Sequence, residues 1–101
     1  MEKDTEITVV LFRKFKGEII ALFPYELGGQ ILVTCSSYTH VDQHGAGNPY
    51  HIVTSSKPTT EAEYAPLKAE LESIGYNLKV IKKQPSDGYQ VRKEKFKKLF
   101  T

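Results

Sequence analysis

The chain has 101 residues, 40% of them hydrophobic and 26% charged, with a formal net charge of +2. That length suits one hydrophobic core, and the composition excludes a disordered polymer. No run approaches the roughly 18 apolar residues a membrane-spanning helix needs.

Met-Glu-Lys-Asp-Thr-Glu at the start is acidic and polar, without the net basic start and apolar stretch of a signal peptide. The lone Cys35 has no partner for an internal disulfide, which fits a reducing compartment. The expectation is a cytoplasmic protein, not embedded in a membrane. One domain is expected over residues 1–101, with 1–5 and about 97–101 expected to be flexible. Charge is unevenly spread. Residues 1–75 carry six Lys/Arg and ten Asp/Glu, a balance of −4, whereas residues 76–101 carry eight and two, a balance of +6. A basic end on an acidic body suits an acidic or phosphate-bearing partner, and it equally suits a solvated helix face.

In chain order, Glu6 to Lys16 reads as a strand, rich in β-branched and aromatic residues. Lys16-Gly17 predicts a two-residue hairpin turn, with Gly17 supplying positive φ. Glu18 to Phe23 is the return strand, apolar on both faces, and Pro24 is expected to end it because proline cannot donate to a ladder. Tyr25 to Gly29 then reads as a loop. Gln30 to Ser36 reads as a third strand, with Ile31, Val33 and Cys35 on one side. These three strands predict an antiparallel meander.

A polar stretch follows to about Lys57, and Tyr50 to Thr54 within it is read as a short extra strand. The principal helix is announced by Thr60 as N-cap and Glu63 three residues on, a capping box. Tyr64, Leu67, Leu71 and Ile74 form its apolar stripe, and Gly75 is the expected residue after its end. Pro66 removes one interior hydrogen bond and predicts an irregular first turn. Tyr76 to Lys83 reads as a fourth strand whose lysines suit a sheet edge. Pro85-Ser86-Asp87-Gly88 is a turn, and Tyr89 to Phe100 a short basic helix with Tyr89, Phe96, Leu99 and Phe100 as its apolar side. The predicted fold is α+β: a mostly antiparallel four- to five-stranded sheet, one principal helix and a C-terminal helix. The second sheet face needs cover, from the C-terminal helix or from a second copy in a homodimer.

The candidate ligand-binding stretch is Tyr38 to His51, with Tyr38, His40, Asp42, Gln43, His44 and His51 as its polar groups. Imidazole and carboxylate ligands suit zinc or another divalent metal, and an extended chain would put His40, Asp42 and His44 on one face. That arrangement gives one alternative, a metal-dependent hydrolase using His40, His44 and His51 with Asp42 as ligand or base. The His-x-x-x-His spacing lacks the glutamate of the zincin signature, and hydrogen bonding to backbone groups satisfies the same side chains. Cys35 near His40 or His44 invites a thiolate reading, but its place among apolar strand residues favours a buried, inert thiol. Gly28-Gly29 lacks the lysine and following helix of a phosphate loop. Arg92, Lys93, Lys95, Lys97 and Lys98 support a second alternative, nucleic-acid binding, weighed against lysines that are simply solvated.

The segments Val-Leu-Phe-Arg-Lys-Phe (10–15), Ile-Ile-Ala-Leu-Phe-Pro (19–24), Ser-Tyr-Thr-His-Val-Asp-Gln-His-Gly (37–45) and Leu-Lys-Ala-Glu-Leu-Glu-Ser-Ile-Gly-Tyr (67–76) resemble small bacterial and phage or mobile-element proteins of unknown function. The likeness covers roughly residues 9–82. It implies a cytoplasmic accessory role and no particular activity. Asp42 departs from the glycine of that pattern, which weakens the three-ligand arrangement. The function expected is a non-catalytic binding or interaction module with an unidentified protein partner.

Overall fold

A computed structural model describes residues 7–28, 34–39 and 43–100. Its elements are β1 (Thr8–Phe15), β2 (Glu18–Leu27), β3 (Cys35–Thr39), β4 (Gln43–Gly47), α1 (Pro49–Thr54), β5 (Lys57–Pro58), α2 (Glu61–Ser73), β6 (Leu78–Ile81) and α3 (Gly88–Phe100). The α+β class, the mostly antiparallel sheet, the principal helix and the C-terminal helix are as the sequence predicts.

The sheet runs β4-β3-β2-β1 in antiparallel order. The outer edge of β1 is shared. Thr8–Leu11 pair with β6 in parallel, and Arg13 and Lys14 pair with β5 antiparallel. Lys16 and Gly17 both have positive φ (53° and 83°), so the β1–β2 turn is the primed type whose twist matches its strands.

Three strand expectations need correction. Pro24 does not end β2, which continues to Leu27. Phe23 pairs with Ser36 and Leu27 with Cys35, so Pro24, Tyr25 and Glu26 bulge out of the ladder. A residue without an N–H costs nothing there. The third strand lies at Cys35–Thr39, later than Gln30–Ser36, and residues 29–33 fall outside the described residues. Tyr50–Thr54 belongs to a helix, not a strand. Asn48 is its N-cap, with the side chain accepting from the His51 N–H, and Pro49 occupies the first turn, where its fixed φ and missing donor are suited.

α2 is capped as predicted: Thr60 Oγ1 accepts from the Glu63 N–H at 3.2 Å, and Glu63 Oε1 from the Thr60 N–H at 2.9 Å. Pro66 leaves the helix continuous. The Thr60 carbonyl accepts from both Glu63 N–H (3.0 Å) and Tyr64 N–H (3.1 Å), a slightly tightened first turn. Leu67 and Leu71 are buried on Val10, Phe12, Ala21, Phe23 and Tyr38. Ile74, counted in the apolar stripe, is 51% exposed, because the helix ends there and Gly75 turns away at φ 112°.

The opposite face carries Leu11, Ile20, Leu22 and Cys35, covered by Ile52 of α1, while α3 packs along β2. Cover for the second face thus comes from within the chain, and the reason for a homodimer through that face falls away. Two residues of the predicted apolar side of α3 face outward, while Phe96 is half-buried. Tyr89 is 43% and Leu99 70% exposed, whereas Gly88 and Arg92 are buried. Its contacts go to the β2 bulge. Arg92 Nη1 donates to the Pro24 carbonyl (2.6 Å), the Tyr25 hydroxyl to Asp87 Oδ1 (2.7 Å), and Lys95 Nζ to Glu26 Oε2 (3.0 Å). Each of the three bulged residues meets one residue at or near the N-terminal half of α3.

Candidate functional site

The described residues of the Tyr38–His51 stretch, Asn48 apart, lie in regular elements. Tyr38 and Thr39 end β3, and Gln43–Gly47 pair back on it, with Thr39 opposite Gln43 and Tyr38 opposite His44. Tyr38 is 1% exposed and belongs to the core, its hydroxyl donating to the Glu70 carboxylate on α2. That removes Tyr38 from the set of surface ligand contacts: phenol bodies bury readily when the hydroxyl finds a partner. His40 and Asp42, and the side chains of Gln43 and His44, lie outside what the structure describes. His51 stands exposed on α1, its backbone engaged in the helix and its carbonyl accepting from Thr54 Oγ1 at 3.0 Å. Among the described residues no three His, Cys, Asp or Glu side chains stand close enough to hold a metal ion.

Cys35 is fully buried. Loss of solvent pushes its thiol up to about 11, against the opposing pull of the Arg92 charge and of backbone hydrogen bonds. At neutral pH the group is a thiol, and a nucleophile needs the thiolate. The sequence reading of an inert cysteine matches this placement.

The basic set divides. Arg92 is 3% exposed and committed to the Pro24 carbonyl, so it is an anchor of α3 and no phosphate contact. Lys95 is paired with Glu26. Lys93, Lys97 and Lys98 are the remaining members, of which Lys97 and Lys98 are exposed.

Two concavities flank the end of β6, and both were missed in the sequence. The first, about 380 Å³, opens where the outer edge of β1 passes from β6 to β5. Phe12 and Tyr64 line it, their rings stacked with centroids 4.5 Å apart, and Thr59, Thr60, Glu61 and Lys82 supply polar groups. Thr59 Oγ1 donates to the Phe12 carbonyl at 3.4 Å. Arg13 braces the same edge: Nε donates to Ser56 Oγ (2.8 Å) and Nη2 to the carbonyls of Val53 (3.0 Å) and Ser56 (2.9 Å), tying the end of α1 to β1. A cation there also suits the negative end of that helix. The second concavity, about 610 Å³ and more open, is lined by Val9, Tyr25, Lys79, Ile81, Lys82, Lys83 and Pro85. The available signal for it was the run of lysines at 79, 82 and 83, which the edge-strand reading absorbed.

No family model, no curated protein and no solved structure matches this chain. No activity or ligand is therefore transferred from a relative, and no helix among the described residues is long and apolar enough to cross a membrane.

Proposed function

We propose that the protein is a small, cytoplasmic, non-catalytic binding module, and that the cleft between β5 and β6 takes its ligand. The observation that carries this reading is the cleft itself. It is preformed by a change of strand partner along β1, walled by a stacked aromatic pair and rimmed by two threonine hydroxyls, with Glu61 and Lys82 offering one charge of each sign. Mostly apolar concavities with a few placed polar groups are what small-ligand sites are made of. The dimensions suit a planar or amphipathic molecule of modest size. The burial of the Cys35 thiol and the engagement of the Tyr38 hydroxyl with Glu70 support binding over catalysis by those two groups.

The test is a screen of planar aromatic and amphipathic compounds by amide chemical-shift perturbation. Hits should move Phe12, Thr59, Thr60, Tyr64 and Lys82 together, and Tyr64→Leu should weaken them about fivefold to tenfold, the worth of an aromatic contact. Hits that cluster elsewhere, or survive Tyr64→Leu unchanged, refute the reading.

A further inference from the structure

We infer that the second concavity, formed by Lys79, Lys82 and Lys83 around Tyr25, is a docking surface for single-stranded nucleic acid. This surface is distinct from the C-terminal helix in which the sequence concentrates basic residues, and it does not depend on the β5–β6 cleft being a ligand site.

The argument starts from charge compensation. Lys14, Lys68 and Lys95 each meet a glutamate, at 3.3, 2.9 and 3.0 Å. Lys79, Lys82 and Lys83 are exposed and have no ion-pair partner among the described residues. Three cations within five residues line one concavity, and among the described residues no carboxylate lines it with them. Concave surfaces of one sign focus the potential and attract polyanions from a distance. Lys79 lies on β6, and the chain bends after Ile81 at Lys82 and Lys83, so the three cations stand along and around the end of the strand on the rim of one concavity.

Tyr25 decides which polyanion. It sits in the β2 bulge, and its hydroxyl is fixed on Asp87 at 2.7 Å. That bond holds the phenol hydroxyl, which is why its acidity is lowered. The ring lines the lysine cleft beside Val9, Ile81 and Pro85, an apolar wall with an aromatic platform. Lysines tracking a backbone and an aromatic side chain on which a base stacks are the two parts of sequence-tolerant single-strand binding. An acidic peptide would use the lysines and leave the platform idle. A concavity of about 610 Å³ is of the size that receives a drug-sized group, which is one or two nucleotides of a single strand and not a duplex.

Fluorescence anisotropy of the full chain with labelled oligothymidylate tests this. Three phosphate contacts on a single strand give a slope of about −2 in log affinity against log salt, so a fourfold rise in salt weakens binding roughly 20-fold. Combined Lys79→Gln, Lys82→Gln and Lys83→Gln should abolish binding, and Tyr25→Leu should weaken it about tenfold, the worth of one stacked base. Lys93→Gln with Lys98→Gln should leave it within twofold. Lys79, Lys82, Lys83 and Lys98 are exposed, Tyr25 and Lys93 are half-buried, and thermal melts of each variant separate lost binding from lost fold. The inference is overturned by an absence of binding at low salt, by loss confined to the α3 variant, by a duplex of equal length binding more tightly, or by heparin binding as tightly while Tyr25→Leu changes nothing.

Discussion

α2 and α3 are both 13 residues long, both lie against the sheet, and they are attached by opposite means. α2 is held by oil. Leu67 and Leu71 sink into the first sheet face, and the neighbouring rings of Tyr64 and Tyr76 stack on Phe12 and Phe23 at 4.5 and 5.4 Å. α3 is held by polar contacts to a defect. The bulge that accommodates Pro24 leaves a carbonyl, a phenol and a carboxylate outside the ladder, and Arg92, Asp87 and Lys95 meet them one for one. Gly88 makes the approach possible, since a Cβ there would stand 3.2 Å from Arg92 Nη1 and 3.3 Å from the Pro24 oxygen. The difference teaches that an irregular strand can specify where a helix docks as firmly as an apolar stripe does, because a buried carbonyl without a donor is costly.

The strongest way to break this contrast is to truncate a leucine on each helix. Leu71 is fully buried, and Leu71→Ala should destabilise by about 4 kcal/mol. Leu99, 70% exposed, should cost under about 0.5 kcal/mol when changed to Ala. Urea unfolding measures both, and equal effects would show that α3 also relies on apolar burial. Next in size is Arg92→Met, which keeps the stem and removes the donor to the Pro24 carbonyl. The expected loss is about 2–3 kcal/mol, the cost of orphaning a buried acceptor that was bonded to a charged group. Hydrogen exchange localises it: α3 amides should lose protection while α2 amides keep theirs. Protection lost equally on both helices would mean that the anchor serves the whole core.

The same contrast explains what could be read from the sequence. The capping box, the Leu67–Leu71 stripe, the primed turn at Lys16-Gly17 and the burial of Cys35 all follow from residues within one element, and all are present. The misreadings share another origin. Pro24 stops a strand only when the ladder needs its N–H, and the bulge that removes that need is a property of the β2–β3 register. Arg92 looks like surface charge until Pro24, 68 residues away, supplies its acceptor. Tyr50 to Thr54 has strand-like composition, and the cap at Asn48 with Pro49 overrides it. In the candidate stretch, Tyr38 was legible as polar but not as core, because its partner Glu70 is remote in sequence. The lysines at 79, 82 and 83 were visible as an edge device, and only the return of Tyr25 to their side makes them a surface with a shape.

The smallest effect concerns how each helix begins. The first carbonyl of α3 is that of Asp87, which accepts from the Val91 N–H at 3.0 Å while its carboxylate receives Tyr25. α2 keeps its capping groups for itself, and Thr60→Ala should cost about 1 kcal/mol, with Thr60→Ser restoring most of it. The Glu63 carboxyl is held below its ordinary value, first by the Thr60 N–H and then by Lys14. A lowered folded-state value means stability that is present above the unfolded value and is lost as pH falls through the folded one. The Thr60 N–H survives in Thr60→Ala, so that variant should lose stability with acid in parallel with the native chain. Glu63→Gln keeps an acceptor and removes the charge, so its stability curve should flatten in the acid range. Parallel curves for Glu63→Gln and the native chain would show that the cap at α2 works by its hydrogen bonds alone, without the charge that Arg92 brings to the contact of α3 with the bulge backbone.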